Sequence, residues 1–126
     1  MTDTKAGSIS WIDLTVDDAE RIRRFYGRVV GWDAAPVEMG GYADYTMTLP
    51  STDTPAAGIC HALGVNADLP AQWLIYITVG DLDASIASCR DLGGEVLAGP
   101  RSLGDHGRFC VIRDPAGAVA ALFESA

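Results

Sequence analysis

The sequence predicts an α+β fold in which two βαβββ modules form a curled mixed sheet around a cup, with the helices outside. Three features support this prediction: an internal repeat, a strand of period-two alternation at the start of each half, and a capped helix directly after each strand. When the chain is shifted by 63 residues, Asp13–Asp18 aligns with Tyr76–Asp81, and Gly31 aligns with Gly94. Each match lies at the same point of the pattern, so the two halves are expected to fold alike.

The first half begins with a strand over 8–16, whose residues alternate between an apolar face and a face of aromatic and polar groups. Asp17 and Glu20 fit a capping box for the helix that follows, and Gly31 ends that helix. Short strands are then predicted over 32–37, 42–49 and 57–62.

The second half repeats this order. A strand over 73–79 leads into a helix that Asp81 caps and Gly93 stops, with Cys89 and Leu92 on its packed face. Short strands are predicted over 95–98, 108–113 and 119–124, and a turn at 114–117 joins the last two.

The domain organisation follows from the repeat. Residues 1–126 are expected to form a single domain, because 126 residues and 13.3 kDa are the size of one ordinary domain. Module 1 is predicted over about 8–62, a linker over 63–70 and module 2 over about 71–124.

The charge and composition exclude several classes of function. The net charge is −8 and the pI is near 4.4, which argues against partners that need clustered cations, namely nucleic acid and anionic membrane surfaces. No apolar run approaches the length of a transmembrane helix, and the start of the chain has no signal-peptide pattern. A cytoplasmic protein is therefore expected.

The chain contains three cysteines, Cys60, Cys89 and Cys110. An odd number at these spacings is neither a disulfide framework nor a zinc knuckle. Buried thiols that act as small hydrophobic groups are the simplest interpretation.

Several motifs together resemble the vicinal oxygen chelate superfamily, which includes glyoxalase I, bleomycin-resistance proteins and extradiol dioxygenases. The resemblance covers about residues 8–124 and is strongest to bacterial glyoxalase-like proteins. It rests on Thr15-Val-Asp-Asp18, Phe25-Tyr26 followed by Gly31-Trp32, Gly93-Gly94-Glu95-Val96, and Asp114-Pro-Ala-Gly117 followed by Leu122-Phe-Glu124.

The resemblance implies where a metal ion would be held, at one position in the opening strand and one in the closing strand of each module. These positions fall on Trp11, Gly58, Leu74 and Ala121. None of these side chains can coordinate a divalent cation, which requires carboxylate or carbonyl oxygen, imidazole or thiolate. The sequence therefore predicts a member without the metal ligands and without a cofactor.

A substitute metal site is a weaker alternative. The histidines are His61, beside Cys60 in a strand, and His106 in a predicted loop. A site formed by Asp13 with His61, or by Asp13 with Cys60, is conceivable, since Asp13 shares a strand face with Trp11.

The candidate ligand-binding residues face the predicted cup or its mouth. Trp11 and Tyr76 offer an aromatic wall for a flat ligand, although a small cup can also fill with its own aromatic side chains. Asp13 is the candidate general base or cation anchor, and Arg108 the candidate anion anchor, each of which can instead be an ordinary strand or turn residue. The full set is Trp11, Asp13, Cys60, Leu74, Tyr76, Arg108 and Ala121.

Three functions remain open at this point. The first is a metal-free protein that binds a small, partly aromatic molecule; the second is a metal-independent lyase, isomerase or hydrolase that uses Asp13; the third is a divalent-metal glyoxalase-type lyase or dioxygenase. A homodimer is expected, because pairing would cover exposed strand edges.

A cavity of about 300 Å³ or more is predicted beside Trp11, Asp13 and Tyr76.

Overall fold

The structure, a computed structural model, describes residues 5–126; the first four residues, on which part of the signal-peptide expectation rests, lie outside the described range. Within that range there are eight strands and two α-helices. In chain order these are β1 (Ile9–Val16), α1 (Ala19–Val29), β2 (Asp33–Glu38), β3 (Ala43–Thr48), β4 (Pro55–His61), β5 (Trp73–Thr78), α2 (Leu82–Asp91), β6 (Glu95–Ser102), β7 (Gly107–Arg113) and β8 (Val119–Ser125).

The chain divides into two compact units. One unit is Ile12–Trp73, and the other combines Leu74–Ala126 with the described residues up to Trp11. Strand β1 contributes to both units, because the division falls directly after Trp11.

The unit Ile12–Trp73 contains strands in the order β2-β3-β4-β1. β1 and β4 are parallel, and the other neighbours are antiparallel. Helix α1 covers one face of this sheet, where Ala19, Met47 and Ile59 form a buried apolar cluster. The opposite face is therefore the one on which polar side chains can be placed without disrupting this core.

Helix α1 begins one residue later than the sequence predicted. The N-cap is Asp18, not Asp17, and its Oδ1 accepts a hydrogen bond from the amide of Arg21 at 3.1 Å. Two consecutive aspartates offer the same capping chemistry, so the sequence alone did not choose between them. Gly31 follows the helix with φ of 91°, a conformation that glycine adopts without strain, as predicted.

The other unit contains strands in the order β5-β8-β7-β6, with β5 and β8 parallel. Helix α2 is capped by Asp81, as predicted, and packs on one face of this sheet through a buried cluster of Leu82, Ile86, Cys110 and Leu122. Leu92, expected on the packed face of the helix, is 77% exposed, because it is the C-cap residue and lies beyond the last packed turn.

The internal repeat extends to the strand register. Asp13 lies opposite Gly58 in the first parallel pair, and Tyr76 lies opposite Ala121 in the second, so both members of the pair shift by 63 residues. The helices begin at Ala19 and Leu82, which are also 63 residues apart. The predicted fold class of two βαβββ modules is confirmed.

The second module also contains a longer strand than expected. β6 reaches Ser102 rather than ending at Ala98, with register irregularities against β7 on the way. Among the described residues, neither helix has the length and apolar character that crossing a membrane requires.

Candidate functional site

A polar face lies opposite α1 in the unit Ile12–Trp73. Parallel pairing places Asp13 beside Gly58 and Thr15 beside Cys60, so these four residues share one face of β1 and β4. Their sequence neighbours point to the other face, where Ile59 is fully buried under α1. Cys60 and Asp13, both named from the sequence, thus lie on the same side of one sheet.

Asp44, which was not predicted from the sequence, also lies on this face. It lies in β3 and is only 6% exposed. Its Oδ1 accepts a hydrogen bond from the amide of His61 at 2.8 Å, and its carboxylate also accepts one from the Cys60 thiol. A carboxylate inside a strand with apolar neighbours was the available signal, but its partner could not be named without the β3–β4 register.

The environment of Cys60 keeps it protonated. Burial raises the pKa of its thiol far above the usual range, and the nearby carboxylates of Asp13 and Asp44 raise it further. A thiol in such surroundings is a poor nucleophile, because the thiolate is the reactive form. Because its one hydrogen is donated to Asp44, Cys60 can contact a ligand only through its sulfur, as a weak acceptor, and it is unsuited to covalent catalysis.

His61 is held by the backbone rather than directed to the polar face. Its Nδ1 lies 2.9 Å from the carbonyl oxygen of Ala43 and 3.5 Å from Oδ1 of Asp44. The His61 ring packs against Tyr42 and Tyr45, at centroid distances of 5.6 and 6.5 Å. Within residues 5–126, no group of three or more His, Cys, Asp or Glu side chains is close enough to hold a metal ion.

The other unit contributes an apolar face. Tyr76 and Ala121 lie opposite each other on the side of the sheet away from α2, and the rings of Tyr76 and Phe109 are 6.2 Å apart. Leu74 and Ala121 are fully buried and Tyr76 is 4% exposed, whereas Trp11 is half-buried. Of these four residues, Trp11 is therefore the one that is not buried.

Trp11 and Tyr76 do not share a face within this unit. The hydroxyl of Thr78 donates a hydrogen bond to Oγ of Ser10 at 3.1 Å, which places Ser10 on the face that carries Tyr76 and Thr78. Trp11, as the next residue of β1, points to the other face. The continuous aromatic wall expected from the sequence is not formed by these two residues in this unit, and their separate roles in ligand binding stay predictions.

Arg108 lies on the face that α2 covers. Its guanidinium donates to Oε1 of Glu124 at 3.0 and 3.2 Å and to the carboxylate of Asp83 at 3.4 and 3.5 Å. Oε2 of Glu124 accepts the amide of Leu82, so the network also caps α2. The structure does not bring Arg108 together with Tyr76 or Ala121, and its contact with an anionic ligand stays a prediction.

The carboxylate of Glu124 is the electrostatic centre of this network. The hydrogen bond from the Leu82 amide, and then that from Arg108, lower the pKa of Glu124. In turn, the hydrogen bonds to Glu124 and Asp83 raise the pKa of Arg108. These groups have a clear structural role at the start of α2.

Three clefts on the individual units are large enough for a small molecule. The aromatic cleft, bordered by Phe25, Tyr26 and Trp73, has a volume of about 330 Å³. The arginine cleft, bordered by Arg23, Arg24, Arg28 and Trp32, has a volume of about 410 Å³. The α2 cleft, which Cys89 and Leu92 border, has a volume of about 340 Å³. None of the three is lined by Trp11, Asp13 or Tyr76, so the cavity predicted beside those residues stays a prediction.

Two side chains that border the aromatic cleft are fixed by a hydrogen bond and by ring packing. The indole Nε1 of Trp73 donates a hydrogen bond to the hydroxyl of Tyr26 at 3.1 Å, and the two rings meet edge to face at 5.3 Å. Phe25 meets Tyr26 in the same manner at 5.1 Å, yet Phe25 is 54% exposed. The cleft thus combines fixed aromatic groups with one accessible ring.

Comparison with known proteins assigns the two-module fold to a family. The sequence model of the Glyoxalase/Bleomycin resistance protein/Dioxygenase superfamily matches residues 8–122. The chain belongs to this superfamily, as the motifs predicted.

Two groups of curated relatives are similar in sequence. The chain is 32% identical over 123 residues to "Putative glyoxylase CFP32" of Mycobacterium tuberculosis, and 31% identical over 134 residues to "Anthracycline biosynthesis protein DnrV" of Streptomyces peucetius. These alignments cover 96% and 98% of this chain but 47% and 49% of the relatives. The chain thus spans about half the length of the curated relatives it matches.

Solved structures share the fold. Methylmalonyl-CoA epimerase from Mycobacterium tuberculosis superposes with a TM-score of 0.59 at 18% identity, covering 100% of this chain and 93% of the epimerase. The epimerase from Streptomyces coelicolor, in complex with 2-nitronate-propionyl-CoA, gives 0.58 at 22% identity, with 97% and 99% covered. At these identities the likeness concerns the fold alone.

Proposed function

We propose that this protein binds a small, partly aromatic molecule without the help of a metal ion. The observation that carries the proposal is the chemistry of the four positions at which the superfamily resemblance places metal ligands. Trp11, Gly58, Leu74 and Ala121 provide no side-chain group that coordinates a divalent cation. Since the residues present do not fit a metal ion, no step of the proposed function involves one.

The strand register supports the assignment of these positions. Gly58 and Ala121 are equivalent under the 63-residue repeat, because each lies opposite the equivalent residue of the opening strand, Asp13 or Tyr76. An alignment error confined to one strand would break this equivalence between the two modules. The same non-coordinating chemistry is present in both modules.

The residues proposed to contact the ligand differ in accessibility. Trp11, Asp13, Cys60 and Arg108 are half-buried and have surface for a direct contact. Leu74, Tyr76 and Ala121 are buried and would act by packing behind such a contact. Each unit is proposed to contribute through its own residues: Asp13 and Cys60 in one, the remaining five in the other.

The aromatic cleft favours a second location for the same function. Its volume of about 330 Å³ falls in the range of small-molecule sites, and three aromatic side chains border it. The name of DnrV links one relative to anthracycline biosynthesis, which is consistent with an aromatic ligand. A Phe25→Ala variant removes the exposed wall of this cleft, and Trp11→Ala removes the accessible aromatic group of the predicted set.

The experiment is a thermal-shift and calorimetric screen of aromatic small molecules against the protein in the presence of a chelator. The proposal predicts saturable binding of an aromatic molecule, with an affinity that the chelator leaves unchanged. Either Trp11→Ala or Phe25→Ala is expected to weaken this binding at least tenfold. Binding that appears only after a divalent metal ion is added would contradict the proposal and favour the metal-dependent lyase or dioxygenase.

The metal-independent enzyme that uses Asp13 is the remaining alternative. One carboxylate oxygen of Asp13 is buried, and a carboxylate within reach of a bound molecule can serve as a general base. If the protein turned over a bound molecule, and Asp13→Asn abolished this turnover while binding was retained, the protein would be this enzyme and not a binding protein.

A cytoplasmic location is also proposed, and so is a homodimer, because pairing would cover exposed strand edges. Sedimentation of the purified chain at micromolar concentration tests the dimer. A species of 13.3 kDa alone would contradict it.

A further inference from the structure

Helix α1 concentrates the positive charge of an acidic protein. Arg21, Arg23, Arg24 and Arg28 all lie within its eleven residues, although the whole chain has nine Lys and Arg and a net charge of −8. Such a concentration on one short element produces a local positive potential on a protein that otherwise repels anions.

Three of these arginines line one cleft. Arg23, Arg24 and Arg28 border the arginine cleft of about 410 Å³, together with Trp32 and Asp33. Asp33 is the acidic residue of the lining, and its Oδ2 already accepts the amide of Ser51 at 2.8 Å. The lining residues therefore carry three positive charges and one negative charge.

The ion pairs formed by Arg23 and Arg24 do not use all the N–H donors of their guanidinium groups. Glu20 is the ion-pair partner of Arg23 and Arg24, at distances of 3.8 and 3.6 Å, and half of its side chain is exposed. Exposed pairs of this kind contribute little and exchange readily. Among residues 5–126, no acceptor pairs with the side chain of Arg28.

Arg23 adds a buried donor. Its Nε is buried and has no acceptor among the described residues, while its guanidinium carbon lies 5.1 Å from the centroid of the Tyr45 ring. A buried donor without an acceptor costs about 1–3 kcal/mol, so such groups usually meet water or a ligand. Because this Nε is buried, Arg23 can face the cleft only through the remainder of its side chain, which is 33% exposed.

Trp32 supplies an apolar wall to the same cleft. Its ring is held by Tyr26 and Trp73, at centroid distances of 6.0 and 6.1 Å. Guanidinium groups bind phosphate and carboxylate through paired hydrogen bonds, and a fixed indole favours a flat partner. The guanidinium groups and the indole ring therefore border the same cleft.

From this geometry we propose that the arginine cleft is a second binding site, for a small molecule in which a phosphate or carboxylate group is attached to a flat ring. Arg24 and Arg28 bind the oxyanion, Arg23 adds a third positive charge beside it, and Trp32 contacts the ring. This site shares no residue with the set proposed above for the protein's main ligand, so either can fail alone.

Phenyl phosphate is the probe, because it is a minimal molecule with both groups. Titration into the protein, followed by calorimetry, is expected to give saturable binding that is at least tenfold tighter than that of inorganic phosphate or of phenol. Equal affinity for inorganic phosphate, or for phenol, would overturn the proposal, because one of the two chemistries would then contribute nothing.

Matched variants separate a built site from general electrostatics. Arg28→Gln is expected to weaken the binding of phenyl phosphate about tenfold to a hundredfold, which is the usual effect of losing a hydrogen bond to a charged group. Arg21→Gln removes the same charge from the same helix at a position outside the cleft lining, and is expected to change the affinity less than twofold. Equal losses in the two variants would overturn the proposal.

A third variant tests the location without changing charge. Gly27 borders the cleft and has an ordinary helical φ, with the carbonyl oxygen of Trp32 at 3.4 Å from where a Cβ would lie. Gly27→Leu keeps every arginine, improves helix propensity and fills the cleft. It is expected to abolish binding while the circular dichroism spectrum stays unchanged, and a folded variant with full affinity would place the anion elsewhere and overturn the proposal.

Discussion

Gly58 lies directly opposite Asp13 in the parallel pair of β4 and β1. The residue beside Asp13 thus has no side chain, at a position where the superfamily resemblance places a metal ligand. The equivalent pair in the second module has Ala121 in the same place. Coordination chemistry is therefore missing at matching positions in both modules, and this pairing is the basis of the metal-independent account.

Trp11→Ala should distinguish a ligand contact from core packing. Trp11 is half-buried, so its truncation is expected to cost clearly less stability than that of Phe109, which is 1% exposed. Deleting a buried aromatic side chain costs about 3–5 kcal/mol, and this is the expected loss for Phe109→Ala. Urea unfolding of both variants checks the prediction, and equal losses would show that Trp11 serves the core.

Glu124→Gln should make the protein less stable in a pH-dependent manner. The Leu82 amide and Arg108 lower the pKa of Glu124 in the folded state, so the carboxylate stabilises the fold above its unfolded pKa. That contribution is lost as the pH falls through the lowered, folded-state pKa. The midpoint of thermal unfolding of Glu124→Gln is therefore expected to lie below that of the parent protein at pH 7, and the two should converge once the pH has fallen below that lowered pKa.

Glu95→Gln is the matched control for this effect. Glu95 also pairs with an arginine, Arg113, at 3.2 Å, but the Glu95 side chain is 60% exposed and caps no helix. Its loss should change stability little at either pH. If Glu124→Gln and Glu95→Gln behaved alike at pH 7, the capping role of Glu124 would be wrong.

Gly94→Ala should be destabilising by overpacking. A Cβ at Gly94 would lie 2.6 Å from Sγ of Cys89 and 3.2 Å from the carbonyl oxygen of Arg113. Forcing an extra methyl group into such a space typically costs about 1–3 kcal/mol. Denaturant unfolding measures the loss, and Gly80→Ala, where nothing lies within 4 Å of the added Cβ, is the control that should stay near neutral.

Removal of the Cys89 sulfur tests the cause of that loss. The double variant with Cys89→Ala is expected to recover part of the stability, because the contact with Sγ disappears while the backbone contact with Arg113 remains. Strict additivity of the two single changes would contradict a steric origin.

Cys60 should resist alkylation in the folded protein. Burial and the carboxylates of Asp13 and Asp44 raise its pKa, so little thiolate is present at pH 8. Asp44→Asn removes one charge and is expected to increase the rate of iodoacetamide labelling at Cys60 several-fold. Fully buried Cys110 serves as the internal control in peptide mapping, because its labelling would reveal unfolding. Native Cys60 that reacted as fast as a free peptide thiol would contradict the account.

Much of the fold could be predicted because it depends on local and repeated signals. Alternation in 8–16 and 73–79, the cap at Asp81 and the stop at Gly31 are all properties of adjacent residues. The repeat of 63 residues then extended them to the strand register. The choice between Asp17 and Asp18 as N-cap failed because the two residues offer the same capping chemistry.

The site was less predictable because it depends on pairing between distant strands. Asp44 reaches Cys60 only through the β3–β4 register, which no local signal in β3 reveals. The Ser10–Thr78 hydrogen bond fixes the face of β1 next to β5, and with it the direction of Trp11. Alternation assigns the residues of one strand to its two faces. It does not show which face of one strand lies on the same side of the sheet as a given face of its neighbour.

The metal content of the purified protein tests the central claim most directly. The chain is incubated with excess Zn²⁺, Ni²⁺, Mn²⁺ or Fe²⁺, freed of unbound ions by gel filtration, and analysed by inductively coupled plasma mass spectrometry. The account predicts that no metal is retained in stoichiometric amount, because Trp11, Gly58, Leu74 and Ala121 provide no ligand. One tightly held metal ion per chain would contradict it.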